Sequence, residues 1–435
     1  MEYGLIGEKL GHSYSKDIHN LIGEYKYELK EIPNDEIDSF MKSRNFKAIN
    51  VTIPYKQTVI PYLDVIDDAA KSIGAVNTIV NKNGKLYGYN TDFYGMKSLI
   101  EKTGLCINDK NILILGTGGT SKTADSLVKS LGAASVKKVS RKPSSEDAIS
   151  YEEALLKTET QIIINTTPCG MFPNPNATPI SLENFPNLEG VIDSIYNPNC
   201  TDFVLDAKKR GKKAEGGLYM LVMQAIKAAE LFLDKPIDSE KANEIFNIIL
   251  SRKENIVLIG MPSCGKTTIG KFISQLLKRP FIDLDSMIVN REKREITEIF
   301  ATDGEDYFRT IESRAIQEIS EKTGCVISTG GGAVLNPMNV NNLRRNGKIF
   351  FIDRPLEQLL ITIDRPIANS PDKLRKIYEI RYPIYKYSAD FIVDNLESTS
   401  GAGFNNIALK IIKLAGVQND IDEGNPLFSQ LQMEK

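Results

Sequence analysis

The stretch GMPSCGKTT, residues 260–268, decides the fold of the second half of this chain. It fits the phosphate-binding pattern G-x-x-x-x-G-K-[ST]. The residues at the fixed positions of the pattern are Gly260, Gly265, Lys266 and Thr267. The apolar run IVLI at 256–259 precedes the stretch and an amphipathic segment at 267–277 follows it, which predicts a strand, a loop and a helix in that order. Backbone N–H groups of such a loop can surround a phosphate chain, and the helix N-terminus favours an anion.

The side chains of this loop predict a nucleotide site with a metal ion. We expect Lys266 to reach the outer phosphates and Thr267 to hold Mg²⁺, and we count the neighbouring Thr268 among the nucleotide-binding residues. An ordinary strand-to-helix turn is the alternative, and the two correct flanks disfavour it. Because a loop of this kind normally follows the first strand of its domain, residues 1–255 must form something else.

Length and composition limit the possible functions. With 435 residues the chain is long enough for two or three domains, and 41% hydrophobic and 25% charged residues are typical of a globular protein. The formal net charge of −2 predicts no bulk attraction to nucleic acid. No apolar run approaches the ~20 residues that span a bilayer, so we expect no membrane segment.

The cysteines and histidines indicate the compartment and the available acid–base groups. The five cysteines are widely spaced and form no C-x-x-C pair, which argues against a disulfide framework or a zinc site. The N-terminus also lacks the basic-then-apolar layout of a signal peptide. We therefore expect a cytoplasmic protein. Since the chain has only two histidines, acid–base chemistry must fall mostly to Lys, Asp, Glu or Tyr.

Polar residues cluster at the ends of predicted elements in the first hundred residues. Strands are predicted at 3–7 and 48–53, and a helix at 15–22 with Ser15 as its N-cap. The clusters are HSYS at 12–15, NVTIPYK at 50–56, GAVNT at 74–78 and GYNTD at 88–92. Such groups suit a small polyhydroxylated ligand, which needs directional hydrogen bonds. Taken singly, these residues have ordinary structural alternatives as helix caps (Ser13, Ser15, Asp92), a surface lysine (Lys56) and a turn residue (Asn77).

The joint layout of these clusters resembles the shikimate dehydrogenase family. The matching strings are GHSYSKDIHN, NVTIPYK, GAVNT and GYNTDFYG, in the order and spacing of the family. The resemblance implies that Ser13 and Ser15 bind the substrate carboxylate. The ring hydroxyls are then held by Thr52, Asn77 and Asp92. Lys56 is implied to be catalytic, with Asp92 orienting its ammonium group.

A predicted strand at 110–115 runs into a glycine-rich turn and then into a helix. The turn residues that would face a cofactor are Gly116, Gly118, Gly119 and Thr120. Their G-x-G-G spacing lets the backbone approach a pyrophosphate at a helix N-terminus, although this motif alone is a weak signal. The next predicted strand, 135–139, ends in Ser140, Arg141 and Lys142 instead of an acidic residue. A hydroxyl and two cations favour a ribose 2′-phosphate, and hence NADP(H).

Two further predicted strands, 162–165 and 191–193, lead into strings that match the shikimate dehydrogenases in order. These strings are NTTPCGM and YNP, which line the nicotinamide end of the cleft in that family. The resemblance also implies a substrate contact by Tyr196, a cofactor contact by Gly217, and a substrate contact by Gln224 from the helix after GGLYML. Without the resemblance, Gln224 would be taken for a solvated helix residue.

The strings after the loop at 260–268 resemble the shikimate kinase family over nearly the whole of 255–395. They are FIDLD at 281–285, IFATDGEDYFR at 299–309, ISTGGGA at 327–333, DRP at 364–366 and RYPIY at 381–385. Asp283 and Asp285 alternate at a predicted strand end, so both carboxylates are expected to point the same way. Two carboxylates near a magnesium nucleotide suit metal positioning and activation of a substrate hydroxyl.

The resemblance to kinases implies a role for each matching residue. The implied shikimate ligands are Asp285, Arg309, Gly331 and Arg381. Asp285 is also the candidate base for the attacking hydroxyl, and Asp283 is implied to support Mg²⁺. Lys266 would act on the phosphates of ATP, and Arg365 would face the nucleotide from the lid. Between Leu360 and Arg365 the lid is shorter than in many relatives and lacks a second arginine.

We predict an α/β chain with four parts. They are a substrate-binding domain at 1–100 completed by helices at 218–250, a Rossmann-like NADP-binding domain at 101–217, a P-loop kinase domain at 251–416 with a parallel sheet like that of the nucleoside-monophosphate kinases, and a flexible tail at 417–435. The charged residues 251–255 are expected to form a brief linker.

The predicted function is bifunctional. The first half is expected to reduce 3-dehydroshikimate to shikimate with NADPH, and the second to phosphorylate the 3-hydroxyl of shikimate with ATP and Mg²⁺. Two alternatives stay open: one half is a non-catalytic binding or regulatory module, or the first half is an NAD-dependent quinate/shikimate dehydrogenase. The sequence leaves the oligomeric state and any direct transfer of shikimate between the halves undecided.

Overall fold

A computed structural model describes residues 1–10, 14–360, 370–396 and 401–421, without the side chains of residues 401, 402 and 419. The chain forms two compact units, Met1–Ile249 and Leu250–Lys435. The first unit contains two sheets and the second contains one. The predicted α/β class is confirmed, because helices alternate with mostly parallel strands in both units.

The first sheet brings together the polar clusters at 50–56, 74–78 and 88–92. Its strands are β1 (Tyr3–Gly7), β2 (Tyr27–Glu31), β3 (Ala48–Val51), β4 (Val65–Ile66), β5 (Thr78–Lys82) and β6 (Lys85–Tyr89), in the spatial order β2-β1-β3-β5-β6-β4. Its helices are α1 (Tyr14–Ile22), α2 (Ile37–Ser43), α3 (Asp68–Ile73) and α4 (Thr91–Thr103), with a 3-10 turn at Ile60–Tyr62. The antiparallel strand β5 pairs Thr78 with both Asn50 and Tyr89, which brings the ends of β3 and β6 together.

Two local predictions in this region are wrong. Helix α1 begins at Tyr14, so Ser15 lies inside its first turn and is not the N-cap. Strand β3 ends at Val51, so Thr52 and Ile53 lie in the turn that follows, and Ile53 is 76% exposed. A proline restricts the residue before it and donates no N–H to a ladder, which explains why pairing stops ahead of Pro54.

The second sheet is entirely parallel. Its strands are β7 (Asn111–Leu115), β8 (Ser135–Val139), β9 (Ala148–Ile149), β10 (Ile162–Asn165), β11 (Gly190–Asp193) and β12 (Lys213–Glu215), in the spatial order β12-β11-β10-β7-β8-β9. The helices that connect these strands are α5 (Gly119–Ser130), α6 (Tyr151–Leu155) and α7 (Asp202–Lys209), with a 3-10 turn at Leu182–Asn184. The strand order reverses at β7, and open parallel sheets bind ligands at the carboxyl end of such a strand.

Two helices follow the second sheet, α8 (Leu218–Leu233) and α9 (Ser239–Lys253), and the first unit ends within α9. Helix α8 packs against α4 and α1, although it follows the second sheet in the chain. Gly95 on α4 permits the close approach, since a Cβ atom there would lie 2.5 Å from the carbonyl oxygen of Met220. The predicted linker is wrong, because α9 runs to Lys253 and the next strand starts at Asn255.

The second unit is built on one parallel sheet. Its strands are β13 (Asn255–Ile259), β14 (Phe281–Asp283), β15 (Val326–Ser328), β16 (Gly347–Asp353) and β17 (Phe391–Asp394), in the spatial order β14-β15-β13-β16-β17. Its helices are α10 (Lys266–Leu277), α11 (Leu284–Glu292), α12 (Ile296–Thr302), α13 (Gly304–Ile319), α14 (Pro337–Asn346), α15 (Pro371–Ser388) and α16 (Gly401–Ala415), with 3-10 turns at Ala333–Leu335, Leu356–Gln358 and Gln418–Asp420. The buried central strand β13 leads directly into the phosphate loop. In the described part of the chain, no helix is long and apolar enough to cross a membrane.

Two predictions for this unit need correction. Asp283 ends β14 and caps α11 by accepting a hydrogen bond from the Ser286 N–H (3.0 Å), so Asp285 lies in a helical turn and the alternation along a strand is wrong. The expected tail is also wrong for residues 417–421. Val417 is buried, and Asp420 pairs with Arg279 at 3.2 Å. The remainder of the tail lies outside the described residues.

Candidate active sites

A cavity of about 390 Å³ lies between the two sheets of the first unit. Groups from both sheets line it, since Lys56 and Asp92 come from the first and Thr120 from the second. The predicted site residues that line the cavity are Ser15, Thr52, Lys56, Asn77, Asp92, Thr120, Tyr196, Gly217 and Gln224. Ser13 lies outside the described residues. The fold therefore brings together polar groups that are scattered over more than 200 positions of the sequence.

A lysine–aspartate pair occupies this cavity. The Nζ atom of Lys56, in the turn after β3, donates to Oδ2 of Asp92 at 2.7 Å. Asp92 lies in the first turn of α4, which begins after the capping residue Asn90. The side chains are 32% and 24% exposed, so a bound molecule can reach both. A lysine held by a carboxylate in a cavity can donate a proton to a bound substrate or accept one from it.

Asn77 is fixed by several hydrogen bonds to its amide oxygen. The Oδ1 atom accepts from the backbone N–H of Thr91 (2.7 Å), from its hydroxyl (3.2 Å) and from the Thr78 hydroxyl (3.1 Å). The amide nitrogen is then the group that Asn77 can offer to a ligand. Asn50 also lines the cavity and was missed by the sequence analysis. Its Oδ1 accepts from the Tyr27 hydroxyl at 2.7 Å, and its Nδ2 donates to Thr78 at 3.0 Å.

Gln224 lines the cavity from the second turn of α8, so the alternative of a solvated helix residue is wrong. Its Oε1 accepts from the Thr91 hydroxyl at 3.4 Å, and its Nε2 donates to the Leu221 carbonyl at 3.0 Å. Across the cavity, the rings of Tyr14 and Tyr196 meet edge to face, with centroids 6.2 Å apart. Tyr14 was not predicted, and a tyrosine between two serines gave no separate signal.

The glycine-rich turn after β7 fits a dinucleotide. Gly116 has a φ of +109°, and a Cβ atom there would lie 2.9 Å from the Thr166 hydroxyl, so a side chain is excluded. Gly118 and Gly119 open α5, and a Cβ atom on either would meet nothing within 4 Å. The backbone is therefore open to a phosphate at the helix N-terminus. Strands β7 and β8 pair Leu115 with Val139, which sets this turn beside residues 140–142.

The sequence analysis missed a buried carboxyl group at the end of β11. Asp193 is fully buried and accepts from the Thr201 hydroxyl (2.6 Å), the Ile195 N–H (3.0 Å) and the Asn165 amide (3.0 Å). Burial raises the pKa of Asp193 to about 7, and these hydrogen bonds oppose the shift. The carboxyl group joins the loops after β10 and β11 next to Ser194, which lines the cavity.

A second cavity, of about 1240 Å³, lies in the second unit at the carboxyl end of its sheet. The predicted residues that line it are Gly265, Lys266, Thr267, Thr268, Asp285, Arg309, Gly331 and Arg381. Gly260 has a φ of +145° at the start of the loop, where a Cβ atom would lie 2.7 Å from the carbonyl oxygen of Ile352. Arg365 lies outside the described residues.

The phosphate end of this cavity has the groups that a magnesium nucleotide requires. Lys266 is 8% exposed, and its Nζ donates to the carbonyl oxygens of Gly260 (3.0 Å) and Met261 (2.9 Å). The Thr267 hydroxyl donates to Oδ2 of Asp283 at 2.8 Å. A hydroxyl beside a carboxylate is the oxygen donor set that Mg²⁺ prefers, so both residues fit the predicted metal site.

The other end of the cavity contains Arg309 and a buried glutamate, Glu312, that was not predicted. Glu312 is fully buried, and its Oε2 accepts from Nη1 of Arg309 at 2.7 Å. Burial raises the pKa of Glu312, and the guanidinium of Arg309 opposes that shift. Glu305 accepts from the same guanidinium at 2.9 Å. The spacing of Glu312 three residues after Arg309 on a helix was the signal that could have identified it.

Two residues of the triple glycine lie so close to charged side chains that a Cβ atom would force a shift. A Cβ atom on Gly330 would lie 2.8 Å from the carboxylate oxygens of Asp285 and Glu312, and one on Gly332 would lie 2.2 Å from the guanidinium of Arg309. The middle carbonyl oxygen, on Gly331, accepts a hydrogen bond from the Tyr385 hydroxyl. Tyr385 is another residue that the sequence analysis missed.

These two sites define the class of the protein. The first unit is an α/β enzyme unit with two sheets, a dinucleotide turn and a lysine–aspartate pair, and the second is a P-loop unit of the kinase type. The chain belongs to the shikimate dehydrogenase family. The family profile of the shikimate dehydrogenase substrate binding domain matches residues 5–79, and the shikimate kinase profile matches residues 262–415. Both predicted resemblances are thereby confirmed.

Two curated relatives are shikimate dehydrogenases that match more than half of this chain. The NADP(+) shikimate dehydrogenase of Clostridium beijerinckii is 40% identical over 261 residues, which cover 57% of this chain and 97% of the relative. That of Methanococcus maripaludis is 40% identical over 252 residues, covering 53% of this chain and 90% of the relative.

Two solved structures are similar to this chain over a comparable share of its length. A chorismate mutase/shikimate 5-dehydrogenase fusion protein from Clostridium acetobutylicum is 38% identical, with a TM-score of 0.55 over 57% of this chain and 96% of that chain. Shikimate 5-dehydrogenase from Thermus thermophilus, in complex with NADP(H) and shikimate, is 28% identical, with a TM-score of 0.51 over 57% of this chain and 99% of that chain. A shikimate dehydrogenase and a shikimate kinase domain in one chain make a bifunctional enzyme of the shikimate pathway.

Proposed function

We propose that the first unit reduces 3-dehydroshikimate to shikimate with NADPH and that the second phosphorylates the 3-hydroxyl of shikimate with ATP and Mg²⁺. The observation that carries the proposal is the contact of Lys56 with Asp92, in a cavity that both sheets of the first unit line. The relatives are shikimate dehydrogenases of the NADP(+) type, which supports the cofactor assignment. Ser140, Arg141 and Lys142, beside the glycine-rich turn, are suited to a 2′-phosphate.

In the reductive half, NADPH supplies a hydride to the ring ketone. Lys56 donates a proton to the oxygen that becomes an alkoxide, and Asp92 keeps the ammonium group directed at it. Asn77 offers its amide nitrogen to a ring hydroxyl, and Thr52 offers its hydroxyl. The substrate carboxylate is assigned to Ser15 and Ser13. Tyr196, which follows β11 of the second sheet, and Gln224, on α8, line the cavity.

In the phosphorylating half, ATP supplies the transferred phosphoryl group and Mg²⁺ neutralises its charge. Lys266 with the loop N–H groups would hold the phosphates, and Thr267 with Asp283 would hold the metal ion. Asp285 would accept the proton of the attacking hydroxyl. Arg309 and Arg381 would bind the substrate carboxylate, and their presence in the same cavity as Asp285 supports this assignment.

A coupled assay with the full chain tests the proposal. With 3-dehydroshikimate, NADPH, ATP and Mg²⁺ present, NADPH oxidation and ADP formation should both occur, and ADP formation should require either prior reduction or added shikimate. Reduction without ADP formation, even with added shikimate, would identify the second half as a non-catalytic module. Faster turnover with quinate and NAD⁺ than with shikimate and NADP⁺ would favour the quinate alternative.

We also infer that both reactions take place in the cytoplasm on small-molecule substrates. All five cysteines are free, which is consistent with a reducing compartment. Among the described residues, no group of three or more His, Cys, Asp or Glu side chains could hold a metal ion. The Mg²⁺ assigned here would therefore depend on the nucleotide as well as on Thr267 and Asp283.

A further inference from the structure

Ser263, within the phosphate loop, has a backbone conformation that side-chain-bearing residues rarely adopt. Its φ is +65°, in the left-handed region where glycine is favoured because it lacks a Cβ atom. The pattern G-x-x-x-x-G-K-[ST] leaves this position open, so a glycine could occupy it. Serine thus stands where the backbone conformation favours glycine. Its hydroxyl group is the feature that a glycine would lack.

That hydroxyl makes a long-range contact. The Oγ of Ser263 donates to the carbonyl oxygen of Leu360 at 2.7 Å, across 97 positions of the sequence. Leu360 ends the described segment 354–360, which begins directly after β16. The contact therefore joins the phosphate loop to a segment that follows the neighbouring strand, since β13 and β16 are paired.

Segment 354–360 is also fixed at its other end. The backbone oxygen of Asp353 accepts from the Asn395 N–H at 2.7 Å, and its carboxylate accepts from the Tyr382 hydroxyl at 2.9 Å. Leu359 is buried. With Leu360 held by Ser263, the backbone that starts at Arg354 is restrained at its beginning and at its end.

Arg354 lines the same cavity as Ser263 and Lys266. Strand register places it beside the loop, because Ile259 pairs with Phe351 and the chain continues from each toward the same edge. A guanidinium binds phosphate oxygens with two parallel hydrogen bonds, and the loop supplies further N–H donors to the same ligand. Arg354 is thus a basic residue beside the phosphate loop, in addition to Lys266.

We propose that Ser263 is a positioning residue of the nucleotide site: its hydroxyl ties the phosphate loop to segment 354–360 and so holds Arg354 toward the nucleotide phosphates. This inference rests on the proposed kinase function. It predicts that Ser263 and Arg354 contribute jointly to the binding of ATP. Both should have little effect on the binding of the phosphoryl acceptor.

The first test compares Ser263→Ala with Ser263→Gly in the full chain. Both variants lose the hydroxyl, but only the glycine variant relieves the left-handed backbone. Both should raise the KM for ATP by about fivefold, as the loss of one hydrogen bond gives, with kcat and the KM for shikimate nearly unchanged. In thermal unfolding, the transition that MgATP raises should lie higher in Ser263→Gly than in Ser263→Ala. If the KM for ATP were raised clearly more in Ser263→Ala than in Ser263→Gly, it would follow the loss of stability. That result would indicate a purely structural role and would overturn the proposal.

The second test is a double-mutant cycle with Arg354→Ala. Arg354→Ala should raise the KM for ATP by about tenfold, and adding Ser263→Ala to it should raise the KM by less than a further twofold. If the double variant raised the KM for ATP by the product of the two single effects, the two residues would act independently. That result would overturn the positioning role. Dehydrogenase turnover in the same preparations serves as the control for folded protein. If the parent chain lacked kinase activity, the proposed function would fail instead, and calorimetric MgATP binding to the same four proteins would still test the coupling.

Discussion

The Nζ of Lys56 lies 2.7 Å from Oδ2 of Asp92, although 36 positions separate the two residues in the sequence. Lys56 comes from the turn after β3, and Asp92 comes from the first turn of α4. The pairing of β3 with β5 and of β5 with β6 brings these two ends to the same place. The strand pairing of the first sheet therefore creates this pair. Because the pair lies in the first unit, its role can be tested separately from the chemistry of the second unit.

Lys56→Ala should abolish most of the oxidoreduction and leave phosphorylation of added shikimate unchanged. Loss of a positioned proton donor typically lowers turnover by about 10²–10⁴-fold. NADPH oxidation and ADP formation, measured separately on one preparation, provide the two rates. Lys71→Ala is the matched control, because Lys71 is exposed in the same unit and pairs only weakly with Asp68 at 3.8 Å. Equal loss of both activities with the fold intact would contradict the two-site arrangement.

Lys266→Ala should have the opposite effect. Removing the ammonium group that is proposed to bind the phosphates should eliminate measurable phosphorylation and leave the dehydrogenase rate unchanged. Lys271→Ala, one turn further along α10 on an exposed position, serves as the control. Normal shikimate phosphorylation by Lys266→Ala would exclude the kinase assignment.

The sequence predicted the two sites better than it predicted the local structure around them. The phosphate loop and the dehydrogenase strings each carry several fixed residues, and residues from both sets line the cavities. The residues at which helices and strands begin and end are set by weaker local interactions. Nothing in FIDLD shows that the chain enters a helix at Leu284, which turns Asp283 into a cap and separates it from Asp285. Nothing around Ser15 shows that α1 starts one residue earlier.

The residues that support the sites were missed for a different reason. Glu312, Asp193 and Tyr385 are buried, and a single sequence gives no measure of burial. Tyr385 also acts through a contact with Gly331, 54 positions away in the sequence. A glutamate on a helix is usually solvated, and only the position of Arg309 against the triple glycine makes Glu312 a buried partner. The same holds for residues 417–421, whose polar composition predicts a tail, while Asp420 binds Arg279.

Arg141→Ala combined with Lys142→Ala should weaken the preference for NADPH. Both side chains are exposed shortly after β8, where they can reach a 2′-phosphate. The KM for NADPH should rise by about tenfold or more, while the KM for NADH should change little. Lys129→Ala, on the last turn of α5, is the control for general loss of positive charge. A parallel change in both KM values would show that these cations do not read the 2′-phosphate.

Gly332→Ala should impair shikimate binding in the kinase site more than ATP binding. The new methyl group would lie 2.2 Å from the Arg309 guanidinium, which Glu312 and Glu305 prevent from moving away easily. A displacement of this size can cost about 10²-fold in turnover over KM for shikimate. Gly416→Ala is the control, because Gly416 has a φ of +77° with open space around it. It should lower stability by about 1 kcal/mol and leave shikimate kinetics unchanged. Similar kinetics in both variants would contradict the role of the close approach.

Two buried groups of the first unit should give its stability opposing dependences on pH. Burial lowers the pKa of His19 from 6.5 to about 3, so between these values the unfolded chain binds more protons and stability rises with pH. Burial raises the pKa of Asp193 from 3.8 to about 7. Here the folded chain binds more protons, so this contribution is fully present below about pH 4 and is lost as pH rises toward 7.

Removing either group should therefore expose the contribution of the other. His19→Phe keeps a ring stacked on Tyr27, where the centroids are 3.9 Å apart, and should leave a free energy of unfolding that falls between pH 4 and 6.5. Asp193→Asn should leave one that rises over the same window, with each slope at most about 1.4 kcal/mol per pH unit. Denaturant unfolding of the full chain measures both slopes. The transition of the first unit is identified as the one that NADPH shifts to higher denaturant concentration. Slopes of the same sign in the two variants would show that one of the buried groups does not titrate as its burial requires.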